Sequence, residues 1–71
     1  MAVIRYVAEG KKSPAVRIVV SMNNGRSWQQ RDLLPGQSFP VPPNATTLLM
    51  DNVPYDPKGN YEIRGGRVSL K

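Results

Sequence analysis

The sequence predicts a small all-β domain, an antiparallel sandwich or barrel of about five to seven short strands with a Pro-rich crossover arm. Three observations predict this fold class. No window of helix length keeps apolar residues at helical spacing. Seven prolines and six glycines interrupt the chain every few residues. Short β-branched runs with alternating side chains lie between them. The whole range, 1–71, is expected to form one domain.

The first two thirds of the chain contain four segments that alternate as strands do. These segments are residues 2–8, 15–22, 26–33 and 46–51. The third is the most polar of them. The second and fourth carry apolar residues on both faces, because Val19 and Leu49 lie opposite their main apolar sides. Two-sided apolar strands suit a protein that packs against another protein as well as against its own core.

Residues 33–47 between the last two of these strands are rich in proline. Pro35-Gly36 predicts a type II turn, with Gly36 at the position that requires positive φ. The prolines between residues 40 and 43 cannot donate to a ladder, so this segment is predicted to be an edge or an extended crossover between two sheets. Recognition of the segment as polyproline is the alternative interpretation.

The C-terminal segment, residues 60–71, gives the clearest hairpin pattern. A two-residue turn at Gly65-Gly66 pairs Arg64 with Arg67 and puts all apolar residues of the hairpin on one face. Arg64 and Arg67 then face each other on the polar side. Like charges opposite each other destabilise a sheet slightly, so this pair is a candidate contact for an acidic partner.

Residues 21–28, SMNNGRSW, contain the chain's only tryptophan. Two hairpin registers are compatible with them. A two-residue Asn-Gly turn sets Val20 opposite Gln29, whereas a three-residue loop with Gly25 in the left-handed region sets Val20 opposite Trp28. The second register buries the indole beside a β-branched partner, and we therefore predict it.

The pattern Ser21-x-Asn23-x-Gly25-x-Ser27-Trp28 resembles the Asp-box, the S-x-D-x-G-x-T-W hairpin of sialidases and other propeller proteins. The resemblance implies that Ser21 and Asn23 tie the loop to its own backbone, that Gly25 turns it, and that Trp28 packs into the core. This chain has Asn23 where the motif has an acid. Because a propeller needs several blades and no second copy is present, the resemblance implies a stable hairpin and not sialidase activity.

The composition argues against catalysis and against a bound metal. The chain has neither Cys nor His, so it lacks thiolate and imidazole ligands, disulfides and a histidine base. Its five carboxylates are scattered and do not have the spacing of a calcium loop. Asp56 begins the sequence Asp-Pro-Lys-Gly, which predicts a type I turn capped by the aspartate itself. We expect no catalytic residue, no cofactor and no metal.

Two non-enzymatic functions remain, and the first is a structural or assembly subunit. A domain of this size has a thin core and gains stability from a homo-oligomer or a larger protein assembly. Capsid and tail proteins of virions are one class of such proteins. The alternative is a small β-barrel that binds single-stranded nucleic acid, with Tyr6, Trp28 and Tyr61 stacking on bases beside arginines. Because the alternation predicts these three rings in the core, the first function is preferred.

The net charge is +5, with the basic residues spread along the chain. Such a distribution is typical of a solvated surface, although a positive field also favours nucleic acid. The N-terminal apolar run is too short for a signal peptide, and no run is long enough to span a membrane. We therefore expect a cytoplasmic location, or a particle such as a virion assembled in the cytoplasm, and no membrane partner.

Overall fold

The structure, a computed structural model, describes residues 2–9 and 14–71, and within these ranges its regular elements are eight strands. The strands are β1 (Val3–Tyr6), β2 (Val16–Ser21), β3 (Gln29–Leu33), β4 (Ser38–Pro40), β5 (Thr47–Met50), β6 (Val53–Tyr55), β7 (Tyr61–Arg64) and β8 (Arg67–Leu70). They form two four-stranded sheets. Sheet 1 has the order β4-β1-β7-β8, and sheet 2 has the order β3-β2-β5-β6. The all-β fold class is thus confirmed, and the architecture is that of a sandwich.

The core lies between the two sheets and follows the predicted alternation. In β1, Ile4 and Tyr6 point inward, while in β2 every second residue from Val16 to Val20 does so. Leu48 and Met50 of β5, in the same sheet as β2, lie beside Val20 and Ile18 and also point inward. Burial of these apolar side chains is the main stabilising contribution to the fold.

The direction of strand pairing departs from the sequence expectation in one place. Every pair is antiparallel except β1 and β7, which run parallel with Ile4 opposite Tyr61 and Tyr6 opposite Ile63. Antiparallel direction is imposed by short hairpin turns. Because more than fifty residues separate β1 from β7, no turn constrains their direction, and the matching of buried side chains decides it.

Strand β4 lies in the Pro-rich segment, which was predicted to be an edge or an extended crossover, whereas strand β6 was not predicted. Both lie at the edge of their sheet, where a missing N–H is tolerated. Strand β6 returns from β5 through a two-residue turn in which Asp51 (φ 49°) and Asn52 (φ 67°) are both left-handed. Aspartate and asparagine tolerate this conformation better than other non-glycine residues, so the Asp-Asn dipeptide was the available signal.

The Pro-rich segment leaves sheet 2 after β3, contributes β4 to sheet 1, and returns to sheet 2 at β5. It begins with the predicted type II turn, in which Gly36 has φ 88° and the Gln37 N–H donates to the Leu34 carbonyl over 3.0 Å. The Val41 N–H donates to the carbonyl of Ala2 over 2.9 Å and extends the pairing of β4 with the N-terminus.

The C-terminal hairpin has the predicted register, from Tyr61 opposite Leu70 to Arg64 opposite Arg67. It is preceded by the predicted turn at Asp56, whose Oδ1 accepts a hydrogen bond from the Lys58 N–H over 2.9 Å. The Tyr61 hydroxyl donates to the Asp56 carbonyl over 2.9 Å and ties this turn to β7. A Cβ on Gly59 would lie 2.7 Å from the Tyr61 hydroxyl oxygen, so this close approach requires glycine.

Candidate protein-interaction surfaces

The loop between β2 and β3 has the register of the two-residue Asn-Gly turn and not the predicted register of the three-residue loop. Val20 lies opposite Gln29, and the predicted pairing of Val20 with Trp28 is wrong. Asn24 (φ 59°) and Gly25 (φ 90°) are both left-handed, and the Arg26 N–H points to the Asn23 carbonyl over 3.4 Å, which describes a two-residue turn. The register places polar Gln29 on the inward side, but at an edge strand such a residue remains solvent-exposed.

Inside this loop, hydrogen bonds bring the four small and polar residues of the Ser21–Ser27 pattern together. The buried Ser21 Oγ accepts from the N–H groups of Asn23 (3.2 Å) and Gly25 (2.7 Å) and donates to Asn23 Oδ1 (2.9 Å). Asn23 Oδ1 also accepts from the Ser27 N–H (3.0 Å), while its Nδ2 donates to Ser27 Oγ (2.9 Å). The Asn24 N–H donates to Thr46 Oγ1 (2.9 Å), which fastens the loop to the start of β5.

Trp28 lies outside the core, and its prediction as a buried anchor is wrong. The residue is 45% exposed. Its ring covers the turn instead, with Cζ2 3.2 Å from the position that a Cβ on Gly25 would occupy. The two-residue turn explains this position, because strand pairing starts only at Gln29 and leaves Trp28 in the loop.

Arg64 and Arg67 face each other at the tip of the β7–β8 hairpin, as predicted, and both are exposed. Arg64 binds Glu62 at 3.0 Å through Nη2 and lies 4.0 Å from Glu9. Glu62 also binds the Lys71 Nζ at 2.9 Å. Among the described residues Arg67 has no ion pair, so the uncompensated charge of the tip belongs to Arg67.

The hydrogen bond from Lys71 is the main cause that holds the pKa of the Glu62 carboxyl below its ordinary value of 4.5. Desolvation opposes it and is the second-largest effect, while a hydrogen bond from Arg64 and the positive charges of both side chains lower the pKa further. Glu62 therefore stays ionised and neutralises part of the basic surface around it.

The outer face of sheet 1 is basic. Because Ile4, Tyr61 and their paired neighbours point inward, the alternate residues of β1, β7 and β8 point outward. This face carries four basic side chains and one acidic one, Glu62, which lies opposite Arg5, and Glu9 lies 4.0 Å from Arg64. The basic residues are Arg5, Arg64, Arg67 and Lys71.

The outer face of sheet 2 has the opposite character. Val19, Leu49 and Pro54 lie side by side across β2, β5 and β6 and form an apolar strip. Next to it is a polar cleft of about 260 Å³ in which Arg17 lies with Asp32 and Asp51. Asp51 Oδ1 accepts from the Arg17 backbone N–H over 3.0 Å, so the second carboxylate is held in place by β2.

The two open sides of the sandwich also differ. On the β3–β4 side, the Arg31 guanidinium lies 5.9 Å from the ring centroid of Phe39 and covers the gap between the sheets. On the β6–β8 side a crevice of about 440 Å³ remains, with Val16, Met50 and Ile63 at its floor and Val53 and Val68 at its walls. Sequence reasoning missed this crevice, because it depends on which strands lie at the sheet edges.

Comparison of the chain with protein-family models, with curated proteins and with solved structures gave no match. In residues 2–9 and 14–71, no three Cys, His, Asp or Glu side chains are grouped so as to hold a metal ion. The same part of the chain has no helix that is long and apolar enough to cross a membrane.

Proposed function

We propose that this protein is a non-enzymatic assembly subunit whose copies associate head to tail, the outer face of sheet 1 in one copy against the outer face of sheet 2 in the next. The observation that carries the proposal is the opposite character of these two faces. One is basic, and the other combines an apolar strip with two carboxylates.

The apolar strip supplies the affinity in this arrangement. Val19 and Leu49 are directly opposed on neighbouring strands and are only half-buried in the single chain, so a second copy would remove further apolar surface from water. The core of a protein interface is depleted in charge and the rim is polar. Asp32 and Asp51 beside the strip fit that rim.

The charges supply the orientation. Arg67, which has no ion pair among the described residues, faces outward from sheet 1, and the cleft on sheet 2 contains one arginine against two aspartates. Attraction between unlike faces favours this encounter over contact between two basic faces. Contacts between different faces repeat from copy to copy and build rings or filaments, as subunits of a capsid or a virion tail do.

Sedimentation velocity over a range of protein concentrations tests the proposal. We expect the wild-type chain to form species heavier than a monomer, and the variant Leu49→Lys to remain monomeric, because it places a charge in the apolar strip. Leu34→Lys is the matched control, since Leu34 is 49% exposed but lies in the segment after β3 and outside the strip. A monomer at every concentration, or equal loss of association in both variants, would show that the proposal is wrong.

Binding of single-stranded nucleic acid is the second candidate, and the exposure of Trp28 favours it. Two other observations oppose it. Tyr6 and Tyr61 are buried, as the alternation predicted, so these rings are not available for stacking. The Trp28 loop is bonded to the start of β5, whereas Gly65 lines the same crevice as Asp51 at the end of β5. Trp28 therefore lies away from the Arg64–Arg67 tip and does not line the crevice beside it.

A further inference from the structure

The crevice between β6 and β8 has apolar lips as well as an apolar floor. Val53 is 49% exposed and Leu70 is 72% exposed, although both lie opposite buried residues, Met50 and Tyr61, and so point to the inner side of their sheets. In a closed sandwich these positions are covered. Here Val53 lines the crevice across from Val68, and Leu70 lies farther along β8, also open to water.

The free edge of β8 offers backbone hydrogen bonds next to this crevice. The Lys71 N–H donates to the Asn60 carbonyl over 2.8 Å, so these two residues form a hydrogen-bonded pair of the antiparallel ladder. Hydrogen-bonded and non-hydrogen-bonded pairs alternate. The N–H and C=O groups of Leu70 and Val68 therefore point away from β7, toward the free edge.

The other three sheet edges are less suited to accept a strand. Strand β6 contains Pro54 and β4 contains Pro40, and proline offers no N–H. Strand β3 places polar Gln29 and Arg31 on its inner side. Of the four edge strands in residues 2–9 and 14–71, β8 alone combines a proline-free edge with apolar inner side chains beside a crevice.

We infer that β8 accepts an extended segment of a partner protein as a fifth strand of sheet 1, and that apolar and acidic residues alternate in this segment. Its inward side chains fill the crevice over Val53 and Val68, since a strand added about 4.8 Å from β8 lies above the gap between the sheets. Its outward side chains lie beside Arg67, whose charge an acidic residue would neutralise.

A second copy of the chain fits this edge poorly. Two β8 strands paired antiparallel about Ser69 would place Arg67 of each copy opposite Lys71 of the other, and like charges in that position are destabilising. Other antiparallel registers also put two Arg67 side chains, which have no ion pair within the described part of the chain, on one face, whereas an acidic segment would neutralise Arg67, so the occupant is a different segment of acidic character. The inference concerns the free edge of β8 and shares only Arg67 with the head-to-tail contact proposed above. Variants at Leu70 test that edge and Leu49→Lys tests the apolar strip, so either proposal can fail alone.

Fluorescence anisotropy with a labelled heptapeptide of alternating valine and glutamate tests the inference. We expect saturable binding, and at least tenfold weaker binding of the same peptide with lysine in place of glutamate. Leu70→Pro removes one outward N–H without breaking a bond to β7, and it should bind the glutamate peptide at least tenfold more weakly than Leu70→Ala, which loses only the side chain. Amide hydrogen exchange at Val68 and Leu70 should slow when the peptide is added.

The variants separate strand addition from unspecific attraction. Equal affinity of Leu70→Pro and Leu70→Ala, with unchanged exchange at both amides, would overturn the inference, because the backbone edge would then not be involved. No binding of the glutamate peptide up to millimolar concentration, or equal binding of the lysine peptide, would overturn it as well. Circular dichroism of both Leu70 variants confirms that each is folded when it is compared.

Discussion

Ser21 is the one buried polar residue among the core positions of β2, and its hydroxyl group organises the neighbouring loop. It accepts two backbone hydrogen bonds and donates one, so its burial leaves no hydrogen-bonding capacity unused. The sequence was sufficient to predict that Ser21, Asn23, Gly25 and Ser27 act together. It was not sufficient to place Trp28. The three-residue loop was preferred because it buries Trp28 on the inner side of β3, but β3 is an edge strand whose inner side leaves Gln29 exposed to water.

Asn23 is the position at which the loop can be tested. Asn23→Ala removes the acceptor for Ser21 and Ser27 and should lower the free energy of unfolding by about 1–2 kcal/mol. Asn23→Asp keeps both acceptor contacts, and the Ser27 hydroxyl can donate to the carboxylate, so its stability should lie within about 0.5 kcal/mol of wild type or above it. Urea unfolding measures both variants. A loss in Asn23→Asp as large as that in Asn23→Ala would contradict this account.

The elements that were predicted correctly are those in which turn chemistry and side-chain alternation agree. In the β7–β8 hairpin, two glycines at φ 56° and 78° and a consistent apolar face specify the same register. Strand β6 of the β5–β6 hairpin was not predicted; it has only three residues and contains Pro54, which an edge strand tolerates. The parallel pairing of β1 with β7 could not be predicted, because it depends on contacts between distant residues.

Glu62 makes the stability of the β7–β8 hairpin depend on pH. Its pKa is lower in the folded chain than the ordinary value of 4.5, so the contribution is present above that value and is lost as the pH falls through the lower folded pKa. Thermal melts of wild type and Glu62→Gln should therefore differ at pH 7 and converge below pH 4.5. Glu9→Gln, which removes a carboxylate that lies 4.0 Å from Arg64 and is not bonded to Lys71, is the control. A constant difference at all pH values would rule out this linkage.

At the scale of the whole molecule, the informative features are differences between surfaces that strand patterns alone do not reveal. The sequence predicted that Val19 and Leu49 lie opposite the core, and the structure places them side by side. The basic outer face of sheet 1 arises because β1 becomes a neighbour of the β7–β8 hairpin, although it is distant from it in the chain. The position of the crevice likewise follows from which strands form the edges. Strand order is set by nonlocal packing, so these surfaces could not be derived from one sequence.

The distribution of charge over the whole molecule predicts weak binding to nucleic acid. The Arg64–Arg67 tip and Trp28 lie toward opposite ends of β5, and Glu62 and Glu9 offset part of the basic face. An oligonucleotide can then contact only a few charges at once. Each phosphate neutralised on a single strand contributes about −0.7 to the slope of log K against log salt. Fluorescence anisotropy with a labelled single strand should show weak, sequence-independent binding at low salt and none at physiological salt, and Trp28→Ala should leave it unchanged. Micromolar binding that persists at physiological salt, and that is lost in both Trp28→Ala and Arg64→Ala/Arg67→Ala, would favour the nucleic-acid function over assembly.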